Sequence, residues 1–265
     1  MIVNNPEAIL EAALVNGGDF AELFVEDRSR SVVRFENGQA ERISRGSDVG
    51  ASVRTVTGDH ANYAYTNEIT EDGLTRAAQQ AAAGISGPKI ERNYAFQPIF
   101  HDNPVRVAPT DVTATQMVAL ARELDALVRA HDPRIVQVTI NCACGLRRVQ
   151  IINSRGVHAG EIRPRVMLAV QVVARDGATI QTGYHSAGSV GGFEYFETES
   201  PQEIALKAAR QACLMLEADP APTGRMPVVL SSEAGGTMVH EAVGHGLEAD
   251  HIEKGLSKFA GCLGR

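Results

Sequence analysis

No apolar run in this chain approaches the roughly 20 residues needed to span a bilayer; Pro227-Val228-Val229-Leu230 is typical of the longest. No membrane association is expected. The N-terminal stretch MIVNNPEAILEAALV carries no Lys or Arg but does carry Glu7 and Glu11, so it lacks the basic start of a secretory signal. Cysteine is scarce: Cys142, Cys144, Cys213 and Cys262 are too few and too unevenly spaced for a disulfide framework. A reducing, cytoplasmic setting is expected. Basic residues are in short supply, with 25 Lys plus Arg against 32 Asp plus Glu and a net charge of -7. No basic stripe is visible in the letters, which argues against nucleic acid as the partner. Internal repeats, low-complexity tracts and a GxSxG nucleophile elbow are also missing.

What is present is an ordinary globular composition, 44% hydrophobic and 22% charged over 265 residues, enough for a buried core and for one large or two small domains. Asn5-Pro6 reads as an N-cap with proline at the first helical position. Residues 21–65 change to short β-rich runs punctuated by Asn37-Gly38 and Gly58-Asp59, a meander of antiparallel strands. Residues 70–83 read as a helix ended by Gly84. Residues 88–109 hold four prolines and read as a connecting loop. Met117, Leu120, Ala121, Leu124, Leu127 and Val128 recur at helical spacing, with Arg122, Glu123 and Asp125 turned away, until Asp132-Pro133 stops the helix.

Strands follow over residues 135–140, 146–152, 165–174 and 178–183. The stretch GYHSAGSVGG lacks the Lys-Ser/Thr ending of a phosphate loop and reads as a flexible hairpin or substrate-facing loop. Ser200-Pro201-Gln202-Glu203 is a capping box that opens another helix. The pattern predicts an α+β fold, with antiparallel sheet and helices in blocks. Asp219-Pro220-Ala221-Pro222-Thr223-Gly224 marks a boundary, giving an α+β domain over residues 1–219 and the start of a second, β-rich domain over 220–265. There, PVVL reads as a strand followed by a Ser/Gly turn. Uncovered Val228, Val229 and Leu230 predict a tendency to dimerise or aggregate.

The sharpest chemical feature is His240-Glu241-Ala242-Val243-Gly244-His245-Gly246. Two imidazoles that hold a divalent ion, with a carboxylate beside them to take a proton, are what metal-assisted hydrolysis needs. Two ordinary helix histidines beside a surface glutamate would give the same letters. The spacing is one residue longer than HExxH: on a regular helix i and i+4 lie about 40° apart, whereas i and i+5 lie about 140° apart. The flanking glycines predict a break near Gly244 that swings His245 back toward His240. Glu248, His251 and Cys262 are the nearby candidates for a further ligand. Cys142-Ala143-Cys144 places two thiols on one strand face, and with no matching second pair core packing is favoured. His158 and His185 are isolated and read as surface or satisfied histidines.

The stretch MPVVLSSEAGGTMVHEAVGHGLEADHIEKG, with HEAVGHGLE at its centre, resembles the TldD/PmbA family of metallopeptidases, on its TldD side. Weaker resemblance runs through VGASVRTVTGDHANYAYTN and GSVGGFEYF. The resemblance implies a zinc-dependent peptidase acting on peptides or poorly structured protein segments, with His240 and His245 as metal ligands and Glu241 as general base. It also implies a cytoplasmic homodimer, or a heterodimer with a PmbA/TldE-like subunit. Family members continue for a second half that supplies a cysteine ligand, and the final CLGR departs from them, so the chain is expected to be incomplete after the motif. The alternative function is a non-catalytic dimerisation or interaction fragment.

Overall fold

The computed structural model describes residues 3–88 and 93–265. The chain divides into two compact units, Met1–Ala218 and Asp219–Arg265. The first opens with α1 (Pro6–Ala13), followed by β1 (Phe20–Glu36), β2 (Gln39–Thr57), β3 (His60–Thr66) and α2 (Glu71–Ala82). Then come β4 (Ile99–Asp102), α3 (Ala114–His131), β5 (Ile135–Asn153), β6 (His158–Asp176), β7 (Thr179–Val190), α4 (Tyr195–Thr198) and α5 (Pro201–Glu217). This is the α+β architecture expected from the pattern.

Turn chemistry sets the hairpins. Asn37 and Gly38 both take positive φ, 50° and 79°, which is what a two-residue turn matched to strand twist requires. Gly58 and Gly177 take the same left-handed backbone between β2 and β3 and between β6 and β7. The seven strands run in the order β3-β2-β1-β5-β6-β4, with β7 also paired to β6. Every pairing is antiparallel except that of β4 with β6.

Two helix pairs cover one face of this sheet. Toward one end α1 and α2 bury Ile9, Leu10 and Leu74 against Leu23, Val25 and Val53. Toward the other, α3 and α5 bury Met117, Leu124, Ile204 and Ala208 against Phe35, Ile140 and Leu168. Each fully buried aliphatic or aromatic side chain contributes about 1.5–3 kcal/mol. The residues of β1 in the two cores are odd-numbered and those of β6 even-numbered, so the residues between them in sequence look out from the other face.

Several local expectations are corrected. Asn5 adopts left-handed backbone and makes no cap; its amide donates to Glu71 Oε1 at 2.9 Å. The proline-rich connection carries the short strand β4, and the part of it at 89–92 lies outside the described residues. Asp125 does not face solvent: it is 7% exposed and takes both of its contacts from Arg129 Nε. The two strands expected at 135–140 and 146–152 are one strand of 19 residues. Gly145 lets it pass β1, because a Cβ there would lie 2.4 Å from the Ser29 carbonyl. The GYHSAGSV stretch belongs to β7, held by its ladder to β6, and is neither loop nor phosphate cradle. His158 is buried, with its ring edge-on to Phe96 and Phe100, and burial lowers its pKa. Burial also pushes the Cys142 thiol up to about 12, consistent with packing in the core.

The absence of a basic stripe is corrected as well. Arg28 stands opposite Arg147, and Arg147 opposite Arg163, across β1, β5 and β6. Sequence separation hid a patch that strand register assembles.

Candidate metal centre

The second unit holds α6 (Ser232–Val239), a π-helical turn over His240–Gly244, a 3₁₀ turn over His245–Leu247 and α7 (Ala249–Glu253). The expected strand at PVVL is not formed: Val229 is fully exposed and these residues have no ladder. A strand needs a partner for its backbone groups, and none lies beside PVVL among the described residues. The expected Ser/Gly turn is the start of α6.

The histidine spacing is resolved by winding rather than by a break. The His245 N–H donates to the His240 carbonyl, an i to i+5 bond that defines a π turn. One extra residue per hydrogen-bonded turn brings positions five apart onto one side. Gly244 and His245 keep right-handed helical backbone, at φ -56° and -61°, so the chain never leaves helical geometry. The two imidazole rings lie with centroids 4.5 Å apart and planes at 69°. Donor atoms of His240, Glu241 and His245 all fall within 4.8 Å of one another.

The glycines serve space, not conformational freedom. A Cβ on Gly244 would sit 3.2 Å from His240 Nδ1, against the ring. A Cβ on Gly246 would overlap the Phe259 ring at 2.7 Å. Behind the turn, Ser257 Oγ donates to the Gly246 carbonyl and accepts from Phe259 N–H at 3.0 Å. These local bonds hold the π turn where no side chain of the unit is buried among the described residues.

Of the nearby candidates for a further ligand, Glu248 has another task. Its Oε1 accepts from His245 Nδ1 at 2.6 Å, leaving His245 Nε2 facing Glu241 Oε2 at 3.5 Å. A carboxylate on one ring nitrogen fixes the tautomer and orients the other for a metal. That hydrogen bond, reinforced by the charges of Glu248 and Glu241, raises the His245 pKa. The sequence offers Glu248 as a further ligand, and its place three residues after His245 is the signal for this contact. His251 Nδ1 lies 3.3 Å from the His245 carbonyl, and its donor groups with those of Glu248 and Asp250. Cys262 joins neither donor group and points its thiol at local carbonyls. Two imidazoles and a carboxylate are the donor chemistry that suits zinc and related divalent ions.

Comparison with known proteins places the chain in a family. Models described as PmbA/TldA metallopeptidase domain 1, central domain and C-terminal domain match residues 21–85, 108–216 and 223–265. A protein named metalloprotease TldD homolog from Haemophilus influenzae is 31% identical over 93% of this chain and 53% of its own length. A second of that name from Buchnera aphidicola subsp. Schizaphis graminum is 28% identical over 96% of this chain and 54% of its own. The chain thus spans about half the length of the curated relatives it matches. Among solved structures, a proposed modulator of DNA gyrase from Thermotoga maritima superposes with a TM-score of 0.74 at 16% identity, over 97% of this chain and 58% of that one. TldE from Thermococcus kodakarensis gives 0.66 at 14% identity, over 97% and 58%. These two likenesses speak for the fold alone, while the three domain models and the curated relatives lead to one conclusion: the chain belongs to the PmbA/TldD metallopeptidase family.

Proposed function

We propose that this chain carries the metal-binding motif of a TldD-type peptidase, with His240 and His245 as zinc ligands and Glu241 as the general base. The observation that carries the reading is the π turn, which lets histidines five residues apart face one another. Zinc, when bound, would polarise the scissile carbonyl and lower the pKa of water toward 7. Glu241 would take the proton on its carboxylate and hand it to the leaving amine. Glu248 would hold the proton on His245 Nδ1, keeping Nε2 free as a donor to the ion.

Two imidazoles are one short of the three protein ligands usual at catalytic zinc. The proposal therefore includes a third donor from outside these two histidines. Peptides or poorly structured segments are the proposed substrates, since backbone amide hydrolysis is what a base beside an ion performs. A TldE-like subunit is the proposed partner and the cytoplasm the proposed location; no helix among the described residues is long and apolar enough to cross a membrane. The alternative, a non-catalytic interaction fragment, would draw on the exposed PVVL segment, and no converging donor set supports it. The test is hydrolysis of an unfolded peptide by zinc-loaded chain, with and without a TldE-like subunit. Glu241→Gln is expected to slow it by about 10²-fold or more; equal rates from the two chains contradict the role.

A further inference from the structure

The sheet face opposite the helix pairs carries a trough of about 710 Å³, lined in part by Arg28, Arg30, Gly145, Arg147, Arg163 and Arg165. Every residue that lines the trough belongs to the first unit. Its arginines come from β1, β5 and β6, brought side by side by register: Arg28, Arg147 and Arg163 form one row, and Arg30, Gly145 and Arg165 the next. Like charges directly opposite on paired strands are destabilising, so folding alone does not favour such a row.

Two of these arginines are already engaged, Arg147 with Glu26 and Arg163 with Glu161. Arg28, Arg30 and Arg165 form no ion pair among the described residues, although Asp48 stands across from Arg28 in register. Between Arg30 and Arg165 the row position is Gly145, so no side chain of that row stands between the two arginines. Met167, 39% exposed, adds an apolar wall.

We propose that this trough binds an extended acidic polypeptide segment, with its carboxylates seated on Arg28, Arg30 and Arg165. Guanidinium and carboxylate are matched planar groups that pair through two parallel hydrogen bonds. Arg28 and Arg30 sit two residues apart on one strand, about 7 Å, and same-side side chains of an extended peptide repeat at that interval. Nucleic acid fits less well, because no aromatic side chain lines the trough to stack on a base. The proposal is independent of the metal-centre reading, because its readout is binding without metal and without hydrolysis.

The experiment titrates the whole chain, at low salt and without metal, into a fluorescein-labelled decapeptide of alternating Glu and Ala, followed by polarisation. The expected result is saturable binding, weakened by about tenfold or more for the Gln-Ala peptide and likewise for the Arg30→Gln, Arg165→Gln double variant, each loss being that of at least one charge-assisted pair. Arg210→Gln, removing an arginine that pairs with Glu203 on α5, is expected to leave binding unchanged. Should the double variant fail to fold by circular dichroism, the unaltered chain still decides: rising salt must weaken the complex. Equal binding of the Gln peptide, salt-independent binding, no binding, or tighter binding of an oligothymidylate of similar length would each overturn the proposal.

Discussion

The two units stabilise their structure by opposite means. In Met1–Ala218 the central strands β1, β5 and β6 are paired on both sides and roofed by helices, with Leu23, Phe35, Ile140 and Leu168 fully buried. In Asp219–Arg265 no described side chain is buried, and Val228, Val229 and Leu230 are 69%, 101% and 49% exposed. Yet the proposed metal-binding motif lies in the second unit, held by a π turn, a serine bridge and two glycines. The first unit owes its shape to burial, while the motif owes its shape to local winding and needs no core to bring its donors together.

Mutations separate these regimes, beginning with the core. Leu168→Ala, which empties a fully buried site, is expected to cost about 2–5 kcal/mol in urea denaturation, whereas Val229→Ala should stay within about 0.5 kcal/mol. Comparable losses from the two would erase the contrast. Gly145→Val places a side chain on the Ser29 carbonyl and is expected to cost about 1–3 kcal/mol, read from the same midpoints; an unchanged midpoint would mean the strands part freely there. Glu248→Gln should leave urea stability alone while weakening zinc affinity by about tenfold, measured by competition with a chromogenic chelator.

The smallest effect concerns pH. Arg134 donates side-chain hydrogen bonds to Asp132, and its backbone N–H adds another, so the Asp132 carboxyl is held well below its ordinary range. A depressed carboxylate pKa adds stability above the unfolded value near 4 and loses it as pH falls through that range. Asp132→Asn should therefore flatten the acid limb of a melting-temperature profile below about pH 4 and change little at pH 7 relative to pH 6. A parallel acid limb in the variant would show that the pair contributes nothing.

Much of the fold is legible in the sequence because turns and helix faces are local codes. Asn37-Gly38 and the Met117–Val128 periodicity are written within a few residues of where they act. What escaped the letters depends on partners distant along the chain. β4 is apolar enough only to be recognised beside β6, β5 is continuous because Gly145 slips past Ser29, and PVVL lacks a neighbour to pair with. Asp125 reads as a surface residue until Arg129 covers it. The motif itself is visible as His240, Glu241 and His245, but its geometry departs from the expected break: the sixth residue of HExxxH signals a wider turn, and Gly244 supplies room for a ring instead of a hinge. The arginine trough was invisible for the converse reason, since its residues are scattered from Arg28 to Arg165.

The central claim is that the π turn presents His240 and His245 to one metal ion. Elemental analysis of chain stripped by chelator, reloaded with zinc and desalted tests it most directly, beside the His240→Ala, His245→Ala double variant. The account predicts near-stoichiometric zinc in the unaltered chain and its loss in the variant. Zinc absent from the first, or retained by the second, would contradict it.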